Sequence, residues 1–142
     1  MAAPTSSQQV SPQEALIFTM VTMSAVDRNM TDAELARIGA LVGQLPVFAG
    51  FNPDDLVPLA QRCGEIIASE TGLSDVLAVI RTSLPPSLYE TGYALGVEIA
   101  AADLNVKIEE LRLLELLRDE LDLDKLTTAA IERGARARHA TG

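Results

Sequence analysis

The chain lacks the usual means of stapling, redox chemistry and nucleic-acid binding. Of its 142 residues one is cysteine, none is tryptophan, and five are aromatic: Phe18, Phe48, Phe51, Tyr89 and Tyr93. The lone Cys63 excludes an intramolecular disulfide and fits a reducing compartment. Lys and Arg number 11 against 20 Asp and Glu, giving a formal charge of −9 and a pI near 4.5. Phosphate backbones demand clustered cations, so no nucleic-acid partner is expected. Cations or basic protein surfaces suit this field better. The one histidine, His139, sits in "RARHATG", read here as a solvent-exposed tail, so no Ser or Cys nucleophile has a histidine partner. A Gly-rich phosphate loop is also missing. These gaps together predict a protein that is not an enzyme.

Long apolar runs are absent too. Ala15 to Val26 is shorter than the roughly 20 apolar residues a bilayer span requires. The opening "MAAPTSSQQVSP" carries no Lys or Arg and makes a poor secretory signal. The expectation is a cytoplasmic protein without membrane insertion, comprising a flexible tail over 1–11, one domain over 12–137 and a short tail over 138–142.

Leu, Ala, Ile and Val dominate instead, and hydrophobic residues make up 48 % of the chain. Their spacing, with the punctuation around them, predicts an all-α fold of about seven helices. Ser11-Pro12 is a helix start, and the helix over 12–26 is apolar on nearly every side, as a surrounded helix should be. "TDAE" is a capping box, Thr31 with Glu34, opening a helix over 32–43. "QLPVFAGFNPDD" is a loop, and Pro58 demands a kink or late start in the third helix, which Gly72 stops. A short helix over 74–81 follows. "SLPPS" then breaks the chain before a fifth helix to about Ala102, apolar apart from Glu90 and Glu98. Helix six covers 107–121 with Leu111, Leu114, Leu117 and Leu121 inward, and helix seven covers 124–136.

An internal repeat stands out. At one constant offset Asp27 falls on Asp103, Asn29 on Asn105 and Glu34 on Glu110, each set following an apolar helix and leading into a polar one. The halves predict two pseudo-symmetric hairpins, helices 1–2 and 5–6, packed around central helices 1 and 5. Gly96 is expected at the closest approach of that central pair.

This duplicated pattern, an apolar helix ending in Ala-Asp and then a helix bearing Glu, resembles the tellurite-resistance TerB-like family over about residues 13–137. The resemblance implies an all-helical, non-enzymatic accessory of tellurite or stress response. It implies a protein partner, a membrane or chaperone component, and leaves a homo-oligomer open. It also implies a metal bound by acidic residues; the matching positions are Asp27, Glu34, Asp103 and Glu110. Arg28 and Leu104 stand where the family tends to have Gly. A single cysteine cannot form the dithiol that would reduce tellurite.

Chemistry allows two readings of these carboxylates. Hard divalent cations such as Ca²⁺, Mg²⁺ or Mn²⁺ take several oxygen ligands, which two juxtaposed junctions would supply. Alternatively the same residues only cap and terminate helices in a purely structural interaction module. Glu98 joins the candidate metal set because it interrupts an apolar helix, where a carboxylate needs a partner. Cys63 and the methionines Met20, Met23 and Met30 read as core.

Overall fold

The computed structural model describes residues 9–25, 30–102 and 108–142. Among them are seven α-helices and no strand: α1 (Pro12–Ser24), α2 (Asp32–Gln44), α3 (Leu56–Ile67), α4 (Gly72–Ser83), α5 (Tyr89–Ala101), α6 (Ile108–Glu120) and α7 (Lys125–His139). Three short 3₁₀ turns, Pro46–Phe48, Pro53–Asp55 and Pro86–Leu88, each open on a proline. Proline suits these positions because its fixed φ starts a turn that needs no donor from it.

Side-chain caps fix where several helices begin. Ser11 Oγ accepts from the Glu14 amide at 3.1 Å while Glu14 Oε1 accepts from the Ser11 amide at 2.9 Å, a full capping box for α1. Thr31 and Glu34 do the same for α2, at 3.1 and 2.8 Å. Asp124 Oδ1 accepts from the Thr127 amide at 2.8 Å and starts α7. Pro58 lies in the first turn of α3, where its missing N–H has no intrahelical partner to lose. Gly72, expected as the stop of the third helix, instead opens α4. A Cβ there would lie 2.0 Å from the Ile67 carbonyl oxygen, so only glycine fits the tight turn between α3 and α4.

Every residue of α1 from Ala15 to Ser24 is buried, and α2, α3, α4 and α5 surround it. Nearly uniform hydrophobicity around α1 follows from this surrounded position. Met20 and Met23 are part of the core, at 0 and 1 % exposure. Helix α5 packs against α1, α6 and α7.

Helix directions can be read from residue contacts. A Cβ at Gly92 would meet Leu16, and one at Gly96 would meet Met23, so α5 and α1 ascend together. The Val10 amide donates to Ser83 Oγ at 3.1 Å, which places the start of α1 beside the end of α4, just ahead of the turn that opens α5. Gly96 also faces Leu114 and Leu117 while Gly92 faces Leu121, so α6 runs back antiparallel to α5. Gln13 donates to the carbonyls of Val47 and Ala49, which brings the end of α2 back to the start of α1. The described ends Ser24 and Ala101 therefore lie at one end of the bundle, together with the first turns of α2 and α6.

A Cβ at Gly96 would meet Leu117 of α6 at 3.4 Å and Met23 of α1 at 3.5 Å, so this glycine makes room for side chains from both helices. One packing expectation needs correction. Leu111 is 52 % exposed, not inward; Leu113 joins Leu114, Leu117 and Leu121 in the core instead. Helix α6 starts beside α5 in an orientation that turns the 113 position inward and leaves 111 on its flank.

Candidate functional site

The five candidate carboxylates have different fates. Asp27 and Asp103 lie outside the described residues. Glu34 is partly buried in the first turn of α2, and its Oε1 is committed to the Thr31 amide. Glu110, in the first turn of α6, is 8 % exposed and is not without a partner. Glu98 is bonded through both oxygens to the last turn of α7: Oε1 to Arg138 Nη2 and Oε2 to His139 Nε2, each at 2.6 Å. Burial pushes the Glu98 carboxyl up, but these two hydrogen bonds and the charges behind them outweigh it and hold the group below the usual range. No group of three or more His, Cys, Asp or Glu side chains that would hold a metal converges among the described residues.

One further polar atom stands out beside the first junction. Ser24 Oγ, in the last turn of α1, is buried and has no hydrogen-bond partner among the described residues. A buried hydroxyl left in that state is destabilising, and it is an oxygen donor of the type a hard cation takes.

His139 is not in a solvent-exposed tail. Helix α7 continues through it, its side chain is 32 % exposed, and it clamps α7 to α5 through Glu98. The same helix pair is joined by Tyr93, whose hydroxyl donates to Glu132. Burial, reinforced by the hydrogen bond and charge of Glu132, raises the Tyr93 pKa well above its ordinary value. The order of these links, 93 to 132 and then 98 to 138 and 139, makes α7 parallel to α5. Spacing could have revealed this face: Glu132, Arg136 and His139 share one side of a helix that continues past 136.

Helices α6 and α7 pack closely on α5 but not on one another, leaving a groove of about 550 Å³. Val97, Ala100, Ala101, Leu111 and Leu114 form its apolar surface. Glu115 and Arg118 border it from α6, and Glu132, Arg136 and His139 from α7.

Cys63 is fully buried against Thr22 and the Phe18 carbonyl. Burial pushes its thiol up to about 11, partly offset by the Thr22 contact, so the reactive thiolate is disfavoured at neutral pH. No described helix is long and apolar enough to cross a membrane.

Comparison with curated proteins and with solved structures finds no match. A family model described as "Tellurite resistance protein TerB" matches residues 13–133, from the first turn of α1 into α7. That match covers most of the chain, and the chain belongs to the TerB family.

Proposed function

We propose that this TerB-family protein is a non-enzymatic accessory of tellurite or stress response that holds a divalent cation, Ca²⁺, Mg²⁺ or Mn²⁺, through the carboxylates of its two acidic junctions. The observation that carries the reading is the parallel packing of α1 and α5. It brings the helix ends leading into Asp27 and Asp103 to the same end of the bundle, beside the buried Glu110 and the Ser24 hydroxyl, which has no hydrogen-bond partner among the described residues. Carboxylate and hydroxyl oxygens are the donor set of a hard cation, and a net charge of −9 raises the local cation concentration. Glu34 and Glu98 fit less well, since ligation would compete with the helix cap and the α7 clamp. The favoured ligands are therefore Asp27 and Asp103.

A second reading is favoured by the Glu34 geometry. Its carboxylate already completes a helix cap, as it would in an interaction module whose acidic junctions are purely structural. Titration calorimetry of chelator-treated protein with the three cations separates the two. Saturable heat that is lost in Asp103→Asn supports the cation site; no heat at millimolar metal supports the structural module.

A further inference from the structure

We infer that the groove between α5, α6 and α7 binds a medium-chain aliphatic carboxylate, its chain along Val97, Leu111 and Leu114 and its carboxylate between Arg118 and Arg136. At about 550 Å³ the groove is in the size range of small-molecule sites. Val97 and Leu114 are nearly buried at its base, yet Leu111 stands 52 % exposed on its α6 side. An apolar side chain held in water beside an apolar groove gains from any aliphatic chain laid across it.

The hydrogen-bonding state of the charged rim selects the headgroup. Of its acidic members Glu132 accepts from the Tyr93 hydroxyl, and Glu115 forms a loose ion pair with Arg112 at 3.6 Å, too long for a hydrogen bond. Arg118 spends one donor on its sequence neighbour Asp119, at 3.3 Å, and Arg136 forms no ion pair among the described residues, which makes it the least committed charge on the rim. Each guanidinium carries five N–H donors and prefers planar oxyanions, so the unused capacity of the rim is for an acceptor. An inorganic anion would leave the apolar surface unused, and an alkylammonium would face the two arginines. An amphipathic carboxylate satisfies both halves of the groove.

This site uses none of the proposed cation ligands, so the test is run in excess chelator, where failure or success of the cation reading cannot affect it. Decanoate, kept below its micelle concentration, is titrated into ¹⁵N-labelled full-length protein, with calorimetry in parallel. The expected result is saturable one-site binding with amide shifts confined to residues lining α5, α6 and α7. Arg136→Gln and Leu111→Asn should each weaken it, Arg136→Gln by roughly ten-fold or more. Both residues are exposed, so the variants should keep the wild-type circular dichroism. Absence of decanoate binding overturns the inference. So does equal affinity for decylammonium, which would mean apolar adhesion alone, or equal affinity for propanoate, which would mean an anion site that ignores the chain. Wild-type affinity in Arg136→Gln would overturn it as well, since the carboxylate would then not be held at the arginine.

Discussion

Glu98 shows why an isolated carboxylate in an apolar helix is a question and not yet an answer. Its position between Val97 and Ile99 demanded a partner, and that partner is the end of α7, forty residues away in sequence by its bond to Arg138. Its folded pKa is below the ordinary value, so the unfolded chain binds the proton more tightly. The clamp's contribution is therefore fully present above the ordinary Glu pKa and is lost as pH falls through the lowered one. Acid titration of stability should show a steeper acid limb in wild type than in Glu98→Gln. At neutral pH the substitution should cost about 1 kcal/mol, the scale of a partly exposed charge-assisted pair. Gly96 is a second residue-scale test. A methyl would sit 3.4 to 3.6 Å from Leu117, Met23 and Leu114, which is ordinary contact, whereas a larger side chain has no space. Gly96→Ala should be neutral or stabilising by up to about 1 kcal/mol through helix propensity. Gly96→Leu should cost about 1–3 kcal/mol or more by overpacking. Chemical denaturation of both variants checks the pair, and a neutral Gly96→Leu would contradict the packing described here.

At the scale of elements, starts are chemically encoded and ends less so. Replacing the cap in Thr31→Ala should cost about 1 kcal/mol and leave the amide of Glu34 without its acceptor. Gly72→Ala should be worse, roughly 2–3 kcal/mol, because its methyl meets backbone and not a flexible side chain; both are read from denaturant midpoints. The all-helical class and all seven helices were legible because capping boxes, proline starts and uniformly apolar α1 and α5 are local signals. Gly72 was misread since glycine ends helices and also permits close turns, and only the position of the Ile67 carbonyl distinguishes the two. Leu111 was misplaced because Leu111, Leu113 and Leu114 offer α6 two apolar stripes, between which α5 chooses. The last turn of α7 was cut short at Arg136 because a run of small and basic residues looks like a solvated tail until Glu98 binds it.

At the scale of the whole molecule, the repeated acidic junctions were legible, whereas what they meet was not. The sequence spacing pairs Asp27 with Asp103, but only the parallel run of α1 and α5 brings their helix ends to one end of the bundle. Glu110 joined the candidate set by its place in the repeat, and its burial could not be read from a helix as polar as α6. Ser24 carried no signal at all, being one small residue among many. The same end of the bundle receives the cationic last turn of α7, with Arg138 and His139 held by Glu98. The tail of α7 thus lends positive charge to the end of the bundle that carries Glu34, Glu98 and Glu110, and the affinity of the proposed cation site should fall as salt screens the net charge.

The proposed cation site is tested most directly by thermal melts of wild type, Asp27→Asn and Asp103→Asn, with and without divalent metal at fixed ionic strength. Bound metal stabilises by mass action, about 2.7 kcal/mol at a hundred-fold excess over the dissociation constant. For a domain of this size that is a rise of roughly 5–10 °C in Tm. The account predicts that rise in wild type and its near loss in both variants, each of which is no less stable than wild type without metal because a repelling carboxylate has gone. An equal metal response in all three proteins would contradict it.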